Sequence, residues 1–527
     1  MSQPFDVVVI GAGTNGLVAA AALGQAGLRV LVLERENAVG GLGRSVEFAP
    51  GFRAAPFSID PGWLPPAVAR SLGLATLERR SLDAPVSVAM GKGAFLTLWG
   101  DPARAAQTIH GISGADAARW PDFTARLARL AGFLEVLYGM PAPDVDLPPG
   151  EWLPMLGLLR RLRGLGRADS IELLRILPMS VWELLDDTFE SDSVKAAVAP
   201  TGVMNHRQGP RSGATGFVLL HYLVGANAGV MRGRPPWRDG PDTFLRAVEA
   251  AARRSRVSIR TGAEVVRIEV RDDAVHGVVL ASGEEIAARR VLSTADPRRT
   301  LLGWVDPVWL DPEFLHAVRM IRFRGCTAFV VYGIDGLPEL PGLASPEALS
   351  GVVSLSPSLD SLERAADAAK YGNVPERPHV ELTVPTLLAP GLAPEGKHVL
   401  VARVQYAPYR LRDGAVWDDG LRERLAAAVT RAIAEVIPCF STRVLHQVAW
   451  SPRDLEERFA LTEGAPTHGE MALDQILFMR PVPGWGRHAM PIDGLYLGGA
   501  GTHPGPGILG GSGWLAARRL LGDRGRR

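Results

Sequence analysis

Phe5 to Ile10 is a short apolar, β-branched run, the pattern of a strand buried on both faces of a parallel sheet. Leu17 to Leu23 follows as an Ala-rich helix ending near Gly27, and Arg29 to Leu33 is a second strand. Farther on, Pro241 to Arg254 places Phe244, Leu245, Val248 and Ala252 on one helical stripe. Glu264 to Arg271 then alternates, with Val266, Ile268 and Val270 on one face and charges on the other. Asp272-Asp273 and Ser282-Gly283 read as turns, so Ala274 to Ala281 returns as a strand and Arg290 to Ser293 adds another. This predicts a β-meander. Leu495 to Leu497 is a last buried strand, with a glycine-rich loop from Gly498 to Gly513 and a helix from Trp514 to Leu521.

Two stretches lie between these elements. Residues 86–235 read as mostly helical, broken by Pro and Gly. Residues 306–480 carry strand-like runs at Ala328 to Tyr332, His379 to Thr383 and Val399 to Tyr406, and a helix from Leu421 to Val436. Within the first, Trp152 to Arg167 is basic and apolar together. It suits either a helix packed on the core with its arginines snorkelling or one lying on a membrane surface, and the glycines at 157, 164 and 166 favour the packed helix.

Between the first strand and helix stands Gly11-Ala12-Gly13-Thr14-Asn15-Gly16, a G-x-G-x-x-G turn. Gly11 permits the tight turn, Gly13 lets a pyrophosphate approach the backbone, and Gly16 lets the helix pack close to the sheet. The helix amino terminus offers free N–H groups and a partial positive charge to phosphates. Glu34, closing the second strand, is placed to accept hydrogen bonds from ribose hydroxyls, which favours a dinucleotide without a 2′-phosphate, FAD or NAD. A second glycine pair, Gly40-Gly41, follows, with Arg35 before it and Arg44 and Ser45 after it. Backbone there can approach a second phosphate or a ribityl chain, Arg44 can neutralise phosphate charge and Ser45 can donate a hydrogen bond. No second clear G-x-G-x-x-G is present, which disfavours a nicotinamide-dependent reductase.

Composition narrows the reading. The chain has 527 residues, 57 Lys+Arg against 56 Asp+Glu, and a formal net charge of +1, which argues against a nucleic-acid partner. The cysteines are Cys326 and Cys439, far apart, so dithiol redox chemistry, a disulfide scaffold and Cys-based zinc or iron–sulfur sites are excluded. No metal site and no Ser/His/Asp order stands out. The start, MSQPFDVVVI, lacks the basic and apolar regions of a secretory signal, and no apolar run reaches the roughly 18 residues of a bilayer span. The expectation is a cytoplasmic protein, at most attached to a membrane surface.

E-R-x-x-x-x-G-G from Glu34 to Gly41, followed by Pro50-Gly51-Phe52-Arg53, resembles the amino-terminal signature of the FAD-dependent amine-oxidase/phytoene-desaturase superfamily. The carboxyl-terminal Gly494-Leu495-Tyr496-Leu497-Gly498-Gly499-Ala500-Gly501-Thr502-His503-Pro504-Gly505 resembles it more specifically, as do His468-Gly469-Glu470-Met471-Ala472-Leu473-Asp474-Gln475 and Met479-Arg480-Pro481. The set is similar to the branch holding carotenoid desaturases, carotenoid isomerases and pyridine nucleotide-disulphide oxidoreductase domain-containing protein 2. The disulphide chemistry in that name has no cysteine pair here to carry it.

The resemblance implies an α/β protein with a discontinuous Rossmann-like FAD-binding domain (1–85, 236–305 and 481–527; parallel sheet plus β-meander). An α+β substrate domain (86–235 and 306–480) is inserted into it. It implies noncovalent FAD held by the two glycine motifs, by Gly499, Ala500, Gly501, Gly507, Ile508 and Leu509, and by the backbone of a valine at 265 or 266, taken as Val266. Trp514, bulkier than the family's usual residue, is expected to change the packing near the flavin.

His503, in the loop expected beside the flavin, is the first acid/base candidate, with His468 and Glu470 next; each has an equally good reading as a loop-bracing residue. Arg53, Tyr406 and Arg480 are candidates for binding substrate. The expected function is oxidation, desaturation or isomerisation of a hydrophobic, polyene-like small molecule by hydride transfer to flavin, with oxygen or a quinone reoxidising it. A homodimer is a further expectation. An amine or amino-acid oxidase, kept open by Arg53, and a flavin-binding scaffold without turnover are the alternatives.

Overall fold

The computed structural model describes residues 5–80, 82–83, 86–91, 93–143, 152–226, 234–340, 342–343 and 346–524. Two large sheets organise the chain. The first has five parallel strands in the order Leu495–Leu497, Val291–Ser293, Val7–Ile10, Val30–Leu33, Ser258–Arg260. Its central strands are apolar and buried at every position, as a sheet covered on both faces requires. Register aligns Ile10 with Leu33 on one side and with Ser293 on the other, and Ser293 with Leu497. The segments after these residues therefore leave the sheet along one edge, the carboxyl-end crevice where α/β sheets bind ligands.

The helix after the first strand runs from Thr14 to Gln25, starting three residues before the apolar pattern does. Thr14, Asn15 and Gly16 are weak helix formers, so propensity hides the first turn. Its alanines and Gly16 are buried, packed between the helices Thr243–Arg254 and Gly511–Arg524. The last of these begins inside the glycine-rich stretch, because a Cβ on Gly513 would stand 2.0 Å from the Asn15 carbonyl. Only glycine allows that crossing.

The meander forms from Val265–Arg271, Ala274–Leu280 and Glu285–Ala287, but the expected strand Arg290 to Ser293 is not part of it, since Val291–Ser293 pairs in the parallel sheet. A second detail departs. A bulge between Val265 and Arg267 turns Val265 inward and leaves Val266 44% exposed, so Val266 does not share the face of Ile268 and Val270.

The second sheet has seven strands in the order Val444–Trp450, Thr327–Asp335, Lys397–Gln405, His379–Thr383, Val352–Ser354, Val86–Gly91, Ala94–Leu98. All pairings are antiparallel except Val352–Ser354 with Val86–Gly91. Val86–Gly91 and Ala94–Leu98 are thus paired antiparallel strands rather than the start of a helical region. Helices follow, with Gly114–Tyr138, Val181–Asp186, Asp192–Gly202 and Thr215–Leu223 sharing one apolar core. Among the described residues no helix is long and apolar enough to cross a membrane, and no group of three or more His, Cys, Asp or Glu is placed to hold a metal.

Candidate functional site

A long cavity opens at the carboxyl edge of the parallel sheet and continues to the second sheet. At one end Glu34 closes it. Its Oε2 accepts from the Ala12 N–H at 2.8 Å and its Oε1 from the Glu36 N–H at 3.0 Å. Two backbone donors thus aim the carboxylate into the crevice and leave lone pairs for ribose hydroxyls. Ala263, Glu264 and Val265 form the facing wall.

Gly11, Gly13, Asn15, Gly40, Gly41 and Arg44 line the middle. Gly11 has φ +96°, and a Cβ there would stand 2.6 Å from Thr294 Oγ1, which itself donates to the Ile10 carbonyl. At Gly13 a Cβ would meet nothing within 4 Å, since it would project into the cavity. The first N–H groups of the helix Thr14–Gln25 have no intrahelical acceptor. A glycine floor, free helix-end donors and an acid closing the neighbouring strand fit an adenine dinucleotide.

At the far end the wall is mostly apolar: Phe57, Trp237, Val352, Val384, Leu388 and Phe459. Loop 505–509 is stitched into it, since Trp63 N–H donates to the Gly507 carbonyl at 2.8 Å and Leu509 N–H to the Trp63 carbonyl at 2.7 Å. Arg234, 2% exposed, ties three segments together there. Its guanidinium donates to the Val224, His221 and Gly507 carbonyls and to Asp60. Behind the loop, His221 Nε2–H donates to the Pro506 carbonyl at 2.8 Å while its Nδ1 accepts from the Tyr138 hydroxyl at 2.7 Å.

The structure sorts the residues expected from the sequence. Gly11, Gly13, Asn15, Glu34, Arg35, Gly40, Gly41, Arg44, Ala500, Gly507, Ile508 and Leu509 line the cavity. Arg35 does so with its guanidinium already donated to the Glu457 and Arg458 carbonyls. Gly16, Ser45, Val266, Gly499 and Gly501 are not in the wall. Gly16 lets the helix touch the Gly11 carbonyl, and Gly499 and Gly501 lie against Thr294 and Pro297, so all three serve backbone packing. Ser45 gives its N–H and hydroxyl to Asp242. At the bulge, Val265 rather than Val266 faces inward. Trp514 packs on the core of the nucleotide-binding sheet rather than at the cavity.

Of the acid/base candidates, His468 alone reaches the cavity. Its Nδ1 is buried with no partner, and burial lowers its pKa to about 4, against the pull of Asp296 nearby. Asp296 itself accepts from the Arg299 N–H and the Thr462 hydroxyl. Glu470 points away, into Arg324 and Arg322, and burial raises its pKa despite them. His503 donates from Nε2 to the Leu137 and Met140 carbonyls, 3.3 and 3.1 Å away, and braces its loop.

The substrate candidates lie elsewhere. Arg53 is exposed and donates to the Ser45 carbonyl. Tyr406 is buried with its hydroxyl on the Gln208 carbonyl. Arg480 is buried among the carbonyls of Thr467, Gly469, Glu470, Gln475 and Ala500.

Asp60, Arg234, Trp237 and Trp304 were not legible as site residues. Each reaches the cavity through long-range packing, with no local motif to announce it. Trp304 ends a π-helical turn, Arg299–Trp304, and packs beside Ala263 and Val265 at the Glu34 end. Such turns recur at functional sites. An adenine held between this indole and the Val265 backbone would quench Trp304. Titrating apoprotein with FAD is therefore expected to lower indole emission, and Trp304→Phe to remove part of that drop. An equal drop in the variant would count against the contact.

Comparison with known proteins gives a consistent picture. The sequence model of the "Flavin containing amine oxidoreductase" family matches residues 175–521, and that of an "NAD(P)-binding Rossmann-like domain" matches residues 9–64. The chain is 32% identical over 556 residues to pyridine nucleotide-disulfide oxidoreductase domain-containing protein 2 of Rattus norvegicus, covering 99% of this chain and 94% of that one. It is 25% identical over 539 residues to a neurosporene-forming phytoene desaturase of Rhodobacter capsulatus, covering 97% and 93%. Among solved structures, putrescine oxidase bound to putrescine superposes with a TM-score of 0.56 over 100% of both chains at 15% identity, a likeness of fold.

Proposed function

The chain belongs to the flavin containing amine oxidoreductase family and is an FAD-dependent oxidoreductase, and from that premise we propose that it dehydrogenates or isomerises an apolar, polyene-like small molecule, with FAD held noncovalently. The observation that carries this reading is the far end of the cavity. Its wall is mostly apolar, and among the described residues the carboxylate there, Asp60, is already bound to Arg234. A cationic amine would find no free anionic partner at that end, and an unpaired charge in such a place is costly. Arg53, the residue that kept an amino-acid substrate open, lies outside the wall. The likeness to the phytoene desaturase supports the same substrate class. Cys326 and Cys439 also stand outside the wall, which supports a cofactor without a thioether link.

Glu34, Gly13, the first turn of the helix Thr14–Gln25 and the loop 505–509 would hold the dinucleotide. Bound FAD supplies the hydride acceptor, and oxygen or a quinone then takes the electrons. The chain's own part is to exclude water with the apolar wall and to take up the proton lost from the neighbouring carbon. His468 is the group placed for that task, because it lines the cavity and its Nδ1 has no protein partner, although burial makes it a weak base there.

Anaerobic mixing of the yellow holoprotein with apolar polyenes is expected to bleach the flavin bands, and mixing with amines to leave them. Bleaching by amines alone would overturn the reading. His468→Gln is expected to keep its flavin yet slow that bleaching by about 10²-fold or more. An unchanged rate would remove His468 from the chemistry.

A further inference from the structure

Two consecutive helices, Trp152–Gly164 and Gly166–Ile176, pack on the long helix Gly114–Tyr138 and turn their other sides to solvent. Leu158, Leu162, Leu165, Leu173 and Ile176 face the core. The outward side does not read as the solvated face of an ordinary surface helix. Leu156 is 49% exposed, Leu159 47%, Ile171 54% and Leu174 65%. In each helix the pair is spaced three residues apart, so it shares one face. Between them lie Arg160, Arg161, Arg163 and Arg167, all exposed. Nearby Arg129 and Arg175 are matched by Asp169, Glu172 and Asp187, whereas these four arginines enter no ion pair among the described residues. The two helices thus pack on the core through one side, while Leu156, Leu159, Ile171 and Leu174 point outward with the arginines.

We propose that this face docks on the surface of an anionic lipid bilayer. Aliphatic side chains interleaved with uncompensated arginines are what an interfacial helix needs: the first enter the acyl boundary, the second meet phosphate headgroups. Charge decides between occupants. A second copy of the chain would set four unpaired arginines against four others. The chain as a whole is close to neutral, so attraction to an anionic surface is local to this face. The pad rests on the helix Gly114–Tyr138, whose end holds the loop around Pro506 through Tyr138 and His221 and the adjoining His503 through the Leu137 and Met140 carbonyls.

The inference stands apart from the substrate reading, since vesicles without substrate test it. Holoprotein is expected to sediment with phosphatidylcholine vesicles that contain phosphatidylglycerol, to stay in solution with phosphatidylcholine alone, and to be released by high salt. Arg160→Gln/Arg163→Gln is expected to weaken the partition by about 25-fold, about fivefold for each arginine. Leu156→Ser/Leu159→Ser is expected to weaken it by about tenfold or more. Both double variants replace exposed side chains and should keep the flavin spectrum. Failure to bind anionic vesicles, equal binding to neutral ones, or full binding by either variant would overturn the proposal. So would a loss of self-association in the leucine variant without any vesicle binding by the parent, which would make the face a contact between copies.

Discussion

Gly13→Val is expected to fold but to retain no FAD. The backbone at position 13 is extended, φ −74° and ψ −178°, a conformation valine adopts readily. A Cβ there meets no protein atom within 4 Å. The folded chain therefore has no reason to resist the substitution. The space the new methyl groups fill is the cavity floor at the start of the helix Thr14–Gln25, where a pyrophosphate must touch backbone. The expected result is a colourless protein with the apoprotein's unfolding midpoint and an FAD affinity lower by about 100-fold or more. That loss corresponds to about 3 kcal/mol. Retained flavin would refute the assignment of this turn. Loss of fold together with flavin would show that the turn serves packing instead. The control is Gly16→Ala, whose Cβ would stand 1.9 Å from the Gly11 carbonyl and which must disturb the fold itself.

The second large effect is acid lability. His206, His221, His488 and His503 are all essentially buried, at 2%, 0%, 1% and 0% exposure. Burial lowers their pKa values to about 3, 3, 3 and 4. An unfolded histidine titrates near about 6.5. A depressed folded value means that the unfolded chain binds protons that the folded chain refuses. Stability is therefore complete above about pH 6.5 and falls as pH drops toward the folded values. Each histidine contributes a slope of about 1.4 kcal/mol per pH unit in that window, so the four together give about 5.5 kcal/mol per unit. Against a typical stability of about 5–15 kcal/mol, unfolding is expected on mild acidification, near about pH 5. Potentiometric unfolding there should take up about four protons from these residues. Uptake of less than one would show that they titrate freely in the fold. Replacing His221 with Gln should make the slope shallower by about a quarter.

The parts of the site that were legible in the sequence are those whose geometry is local. A strand, three glycines, a helix and an acid closing the next strand carry their own register, so Gly11, Gly13 and Glu34 could be placed from residue order alone. The meander was legible as alternation until the bulge at Val265, where one extra residue exchanged the faces of two valines. The carboxyl-terminal loop was legible as a segment beside the cofactor, but not which of its residues stand in the wall, Ala500 and Gly507 to Leu509, and which serve packing, Gly499 and Gly501. Which side of it faces a ligand depends on contacts hundreds of residues away. His503 looks like chemistry by position and turns out to hold the Leu137 and Met140 carbonyls. Arg480 looks like a substrate cation and is spent on five carbonyls. Arg234 and Trp304 carry no motif, yet both stand in the cavity wall.

The strand order of the nucleotide-binding sheet also bears on synthesis. A ribosome delivers Val7–Ile10 early, its neighbour Val291–Ser293 in mid-chain, and the outer strand Leu495–Leu497 near the end. The helix Gly511–Arg524, which packs against Thr14–Gln25, arrives after that. The glycine turn is thus made long before the wall that encloses it. Until the last strand is paired, a nascent chain exposes apolar strand edges that invite misassembly. Closure by the loop 505–509 therefore comes late in synthesis, and a translation arrest before residue 495 leaves the early motif without that part of its wall.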